Sequence, residues 1–499
     1  MTENDAAAAG IGRSGLVLEE PLLWERGRAG RSGMSVEESG LSAVRLPAEI
    51  AGDGPDWPNL SEPEVVRHYT RLSTWNFGVD TGMYPLGSCT MKYNPKINEF
   101  LASLPGFAKA HPLLPESAAQ GALRLIRELE EFLAEIVGLE AATLQPAAGA
   151  HGELCGMLMI AAWHRQNGGR RDKVLIPDTA HGTNPASAAM CGMGEVKVPL
   201  GRDGCLETAT VAGLMDEHTA GIMITNPNTL GLFESNLPEI CRLVHERGGL
   251  VYADGANLNA IMGRVDMGKI GVDVLHYNLH KSMSTPHGGG GPGAGPVAVG
   301  ERLIPYLPGP RVERLADGSH VWKRDLPLSI GRLHAFHGQF AVCLRAYAYI
   351  LSLGPEIRTA SGLAVLNANY LQAKLKHAFD LPFDRRCMHE CVFTDAKQKK
   401  RGVSTLDMAK RLIDLGYHPP TVYFPLVVSG AMMIEPTESE CKEDLDAFIA
   451  ALLRVANEAE NHPDLLRNAP VRSLAGRMDE TTAARRPRLT GDMGRGGDA

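Results

Sequence analysis

Between Glu116 and Val137 the apolar residues Leu123, Leu125, Ile126, Leu129, Phe132, Leu133 and Ile136 recur at helical spacing, which predicts one amphipathic helix. Downstream, short apolar runs take over: ATLQ (142–145), KVLIP (173–177), GIMIT (221–225), LVYAD (250–254), VLHYN (274–278) and GPVAVG (295–300). Stretches that read as helix, such as 150–166, separate them. Strands alternating with helices predict an α/β fold: a mostly parallel central sheet with helices on both faces. After about 320 the pattern changes. Residues 336–375 read as helical, and 402–457 as strand and helix of a smaller α+β unit. Ahead of the sheet, periodicity is weak apart from a short helix from Glu62 to Arg71, capped by Ser61. The expected organisation is an N-terminal arm (1–75), a large domain (76–325), a smaller C-terminal domain (326–470) and a tail (471–499). Residues 1–20 are expected to be mobile, and the end from Ala484 disordered or draped.

Composition narrows the function classes. The 499 residues are 44% hydrophobic and 22% charged, with a net charge of -8. An acidic chain without a Lys/Arg stripe is no general nucleic-acid binder. No apolar run approaches the ~20 residues that span a bilayer. The N-terminal MTENDAAAAGIGRSG lacks the basic and apolar regions of a secretion signal. Nine dispersed cysteines point to reduced thiols and a cytoplasmic setting. Cys387 and Cys391 flank His389, but no second ligand pair follows at zinc spacing, so no metal site is expected.

In an open parallel sheet, ligands bind beyond the carboxyl ends of the strands. Five successive strand ends here carry chemistry: PAAGAHGE (146–153), DTAHGTNP (178–185), NPNTLG (226–231), Asp254 with GANLNA, and His280-Lys281 followed by SMSTPHGGGGPGAGP. Ala148, Gly149 and Ala150 open a helix, either as an ordinary tight turn or as a cradle for an anion at the helix N-terminus. Asp254, closing an apolar strand, either caps a local turn or meets a cation such as a protonated pyridine nitrogen. Lys281 is either a surface lysine or a desolvated amine ready for Schiff-base chemistry, in a loop too rich in Gly and Pro to be helix. The glycine run is not a dinucleotide fingerprint, because no helix follows it. An early segment, GMYPLGSCTMKYNPK (82–96), is loop-like yet dense in functional side chains.

Taken together, these residues resemble the fold-type-I pyridoxal-phosphate (PLP) enzymes. Within them they resemble the glycine decarboxylase (P-protein) family of the glycine cleavage system, in its two-chain form, as the second subunit. The strings that carry the resemblance are GMYPLGSCTMKYNPK, LQPAAGAHGE, PDTAHGTNPASA, TNPNTLGLFE, YADGANLNAIMG, NLHKSMSTPHGGGGPGAGP, HPPTVYFPL and MIEPTE, between about 80 and 440. The family's Thr-Phe after the lysine stands here as Ser282-Met283. The resemblance implies that Lys281 carries PLP and that Asp254 pairs with its pyridine nitrogen. It implies that Asn226 lies near the phenolic oxygen, that His181 stacks on the ring, and that Ala148, Gly149 and Ala150 hold the phosphate with help from His280. Ser88, Cys89, Thr90 and Lys92 would shape the glycine site or its entrance. The implied reaction is decarboxylation of glycine with transfer of the aminomethyl group to the lipoyl arm of the H-protein. The implied assembly is an α2β2 heterotetramer with subunit 1, cytoplasmic as in bacterial or archaeal two-chain systems. The cofactor residues alone do not separate this reading from another PLP decarboxylase, aminotransferase or aldolase. Retention of Lys281 speaks against a catalytically silent scaffold subunit.

Overall fold

The computed structural model describes residues 20–34, 40, 46–52, 57–169, 171–287, 293–487 and 489. The expectations for residues 1–19, the centre of the glycine run (288–292) and the last ten residues lie outside these. Two compact units are present. One holds the described parts of 1–82 and 468–499 with Ile413–Gly416; the other holds Met83–Leu412 and Tyr417–Arg467.

In the first unit the predicted helix runs Glu62–Ser73, and the Ser61 N–H and hydroxyl both donate to Glu64 at 2.9 and 2.8 Å. The preceding arm is tied to this helix. The side chain of Glu20 is fully buried against His68 (2.9 Å), Arg71 (3.1 Å) and Arg26 (3.4 Å). Within 471–499, Glu480–Arg485 form a short helix capped by Asp479, whose carboxylate accepts from the Thr482 N–H.

The second unit is built on a seven-stranded sheet of β1 (Ala141–Thr143), β2 (Lys173–Pro177), β3 (Gly194–Val198), β4 (Thr219–Thr225), β5 (Leu250–Gly255), β6 (Val274–Tyr277) and β7 (Val297–Val299), in the order β1-β7-β6-β5-β4-β2-β3. Only β7 runs against its neighbours. All six predicted strands are present. β3 was hidden because GEVKV is an edge strand with mostly solvated side chains.

Alternation along the strands feeds two cores. Val251, Ala253, Leu275 and Tyr277 pack on one side with the helices Gln120–Val137 and Leu237–Glu246. Leu250, Tyr252, Met223 and Val274 pack on the other with the helix Gly149–Asn167. Gly152 and Gly156 let that helix close on the sheet. A Cβ on Gly156 would lie 2.6 Å from the Tyr252 ring, and one on Gly152 would lie 2.6 Å from the Gly295 carbonyl.

A β-hairpin, β8 (Arg311–Arg314) and β9 (His320–Lys323), follows. Next comes a three-stranded antiparallel sheet of β10 (Cys391–Thr394), β11 (Thr421–Val422) and β12 (Ala431–Ile434), with the helices Ile357–Leu375 and Lys442–Asn461 packed together. The helical run Phe340–Leu375 is, against expectation, long and apolar enough by length and composition to cross a membrane. A 3-10 turn at Gly354–Glu356 interrupts it, and Ala360, Ala364, Ala368, Leu371 and Leu375 are buried on one helical stripe. That stripe is what a core helix requires. All nine cysteines are free thiols, six of them buried.

Candidate active site

Strand register and side-chain parity assemble the site. In the parallel ladder Thr225 pairs with Asp254 and Asp254 with His276, so three adjacent strands end side by side. All three residues share the parity of Tyr252 and Val274, and so face the helix Gly149–Asn167. That helix presents Glu153 toward them.

Asp254 is 1% exposed, and its carboxylate is the hub. His181 Nε2 lies 2.9 Å from Oδ2, Asn184 Nδ2 donates to Oδ2 at 3.2 Å, and the Ala256 N–H donates to Oδ1 at 2.8 Å. His276 Nε2 stands 3.6 Å from Oδ1. Burial alone would push the Asp254 carboxyl up. His276 and His181, with the hydrogen bonds, outweigh it and hold Asp254 well below the usual carboxylate range. His181, 27% exposed at its side chain, is raised: burial pulls it down, but the hydrogen bond and charge of Asp254 prevail. Burial, offset in part by Asp254, brings His276 down to about 4. Glu153 goes the other way. Burial and the neighbouring Asp254 charge push it up to about 8, so it carries a proton at neutral pH. It accepts from Asn184 Nδ2 at 2.7 Å and stands 3.7 Å from His181 Nε2.

Lys281 lies in a one-turn helix, Leu279–Ser282, rather than in the open loop its glycine-rich surroundings suggested. Asn278 starts the turn: its carbonyl accepts from the Lys281 and Ser282 N–H groups at 2.9 and 3.1 Å. The charge of Lys281 acts on Glu153, His181, His276 and Cys89. The early loop clasps this turn. Lys92 Nζ, buried, donates to the Ser282 carbonyl (2.8 Å), Asn259 Oδ1 (2.9 Å), Tyr349 OH (3.1 Å) and Glu438 Oε1 (2.6 Å). Asn94 Nδ2 reaches the Ser284 carbonyl at 3.0 Å. The Lys92 ammonium therefore has its donors engaged in fixing the turn that bears Lys281. Ser88 and Thr90, both at positive φ, donate to Glu390 and Glu435. Cys89 is pushed up to about 11 by burial, against the pull of Lys281.

Several buried polar atoms here have no protein partner. Asn226 uses its Oδ1 to accept the Glu234 N–H at 3.1 Å and leaves Nδ2 unbonded. Thr225 Oγ1, Ser282 Oγ, Thr285 Oγ1 and His280 Nδ1 are likewise orphaned. Burial and the facing His287 hold His280 down to about 3, so its imidazole is neutral. Ala148 caps the 19-residue helix at Gly149, where a Cβ would lie 2.0 Å from Asn278 Oδ1. An anionic, hydrogen-bonding heterocycle carrying a phosphate and an aldehyde matches this donor set: a buried anion, a lysine, unspent amide and hydroxyl donors, and a helix N-terminus. Sequence reading missed Glu153, Asn184 and His276. Glu153 and Asn184 lie inside motifs that carry the resemblance, and the strand parity that places His276 beside Asp254 was the available signal.

Two family models match. Residues 151–291 match the aminotransferase class-V model, and residues 360–470 match the C-terminal domain model of glycine dehydrogenase. Among solved structures, an inhibitor-bound glycine decarboxylase (P-protein) of the glycine cleavage system superposes with a TM-score of 0.70 at 23% identity, covering 82% of this chain and 93% of that one. A cysteine desulfurase from Escherichia coli gives 0.57 at 18% identity, over 76% and 95%. The fold is therefore that of the fold-type-I, aminotransferase-like enzymes. Similarity extends further with a probable glycine dehydrogenase (decarboxylating) subunit 2 of Listeria monocytogenes, 52% identical over 95% of this chain and 98% of the relative. Its counterpart in Alkaliphilus oremlandii is also 52% identical, over 93% and 96%. The chain belongs to the family of glycine dehydrogenase (decarboxylating) subunit 2.

Proposed function

We propose that this chain is the PLP-bearing subunit of a glycine decarboxylase that passes the aminomethyl group of glycine to the lipoyl arm of an H-protein. The observation that carries the reading is the convergence of an ionised, buried Asp254 and Lys281 at neighbouring strand ends, with unspent donors around them. PLP, when bound, supplies a protonated heteroaromatic ring that takes up the electron pair left as CO2 departs. Lys281 Nζ would hold the cofactor through its aldehyde carbon. Asp254 would keep its negative charge opposite the ring nitrogen, a role for which the hydrogen bonds from His181 and the Ala256 N–H already hold it ionised. Glu153, keeping its proton, leaves Asp254 as the single anion there. Asn226 Nδ2 would donate to the phenolic oxygen, and His181 would lie against the ring. Ala148, Gly149, Ala150 and His280 would hold the phosphate.

Lys92 positions the turn of Lys281, and Ser88, Cys89 and Thr90 line the approach from the early loop. The buried surroundings exclude water, which favours loss of the substrate's charge as CO2. The assembly is an α2β2 heterotetramer with a sister subunit, working in the cytoplasm. The test is exchange of labelled CO2 into glycine with lipoylated H-protein, with and without the sister chain, against a panel of other amino acids. Exchange confined to glycine and dependent on the sister chain is expected. Turnover of another amino acid, or full activity from the solitary chain, would overturn the reading.

A further inference from the structure

A second cluster of ionisable groups lies at the edge of the three-stranded sheet. β10 and β12 pair with Cys391 opposite Ile434, so the residues just beyond that end, Glu390 and Glu435, come together across the ladder. His389 precedes Glu390. All three are fully buried, and one ligating atom from each lies within 4.8 Å of the others. His389 Nε2 stands 3.8 Å from Glu390 Oε2 and 3.9 Å from Glu435 Oε1. Both imidazole nitrogens and Glu390 Oε1 are without a hydrogen-bond partner.

A fully buried imidazole aimed between two carboxylates, with nothing bonded to it, is a costly arrangement unless something fills the gap. The carboxylates are held from outside. The Ser88 N–H donates to Glu390 Oε2 at 2.7 Å, and Thr90 donates to Glu435 through its N–H (2.8 Å) and hydroxyl (2.6 Å). Those donors are neutral and orient the carboxylates, while the positive charge of Lys281 also acts on both. Outer hydrogen bonds of this kind are what fix ligating carboxylates in metal sites.

We propose that His389 Nε2, Glu390 and Glu435 form a binding site for a divalent cation of the zinc class. One imidazole and two carboxylates suit such an ion, and the pair of negative charges neutralises it. A tetrahedral ion with bonds of ~2.1 Å sets its ligands ~3.4 Å apart, so the two separations from His389 Nε2 to the carboxylates need to close by only about half an ångström. The ion would fasten the early loop, through Ser88 and Thr90, to the C-terminal sheet.

The experiment uses the full chain as purified. Its metal content is measured, the protein is stripped with a chelator, and Zn2+ alone is titrated by calorimetry. One Zn2+ per chain is expected. His389→Asn and Glu435→Gln should each weaken binding by roughly 100-fold, while circular dichroism and cofactor absorbance confirm folding. Co2+ should give visible absorption bands in the wild type that His389→Asn loses. His276→Asn, which alters the cluster at Asp254, should leave binding intact. Absence of stoichiometric binding by the wild type would overturn the proposal. So would equal binding by His389→Asn, or binding lost in His276→Asn but kept in His389→Asn, which would assign the ion to the other cluster.

Discussion

Glu153→Gln replaces a buried side chain by the isostere of its protonated form. In the folded chain Glu153 titrates at about 8 against an ordinary 4.5, because burial and Asp254 disfavour its charge. The difference, 8 minus 4.5, is ~3.5 units, and at ~1.4 kcal/mol per unit it amounts to about 5 kcal/mol. The sign comes from proton binding. Between 4.5 and 8 the folded state keeps this proton and the unfolded state releases it, so stability is fully present below 4.5 and is lost as pH rises through about 8. Glutamine has no proton to lose. It can still accept from Asn184 Nδ2, whose bond to Glu153 is 2.7 Å. The variant should therefore match the wild type near pH 4.5 and exceed it increasingly up to pH 8.5, by at most about 5 kcal/mol. The assay is chemical unfolding of cofactor-free protein, followed by circular dichroism, at half-unit pH steps. A stability difference that stays flat with pH, or favours the wild type at high pH, would refute the assignment of a protonated Glu153.

Asp254→Asn should fold and retain cofactor yet lose roughly 10²–10³ in kcat, since an amide cannot supply the charge; turnover with glycine and H-protein checks it. His181→Ala should raise the dissociation constant for PLP by about tenfold, measured by absorbance titration, and an unchanged value would argue against ring stacking. Because His181 is raised by Asp254, cofactor loading should lower its pKa as Asp254 turns to the ring nitrogen; histidine NMR of apo and loaded protein reads this directly. Lys92→Met leaves Glu438 buried beside Asn259 without its cation and should cost about 3–5 kcal/mol in unfolding free energy.

Much of the fold was legible in the chain. Apolar runs of four to six residues fix the strands because both faces of a parallel sheet are buried, and the residues just past the strand ends supply the candidate site, of which the structure brings Asp254 and His181 into contact. β3 escaped because an edge strand solvates its side chains, and GEVKV carries no apolar run. The helical turn at Lys281 escaped because Asn278 and Leu279 start it before the glycines begin. The early loop's density of function was legible, but its targets were not. Lys92 and Thr90 reach Glu438 and Glu435, some 345 residues away, and such pairings depend on how β12 lies rather than on local spacing. His389 showed the same limit. Its place beside Glu435 depends on the pairing of β10 with β12, which no motif announces.

Lys281, on the turn after the strand that neighbours Asp254's, is central to the proposed chemistry as the residue proposed to carry the cofactor. Borohydride reduction of the purified protein, followed by peptide mass mapping, tests this most directly. A reduced phosphopyridoxyl group is expected on Lys281 alone, and none in Lys281→Ala. A phosphopyridoxyl group on any other lysine, or in the Lys281→Ala protein, would contradict the assignment.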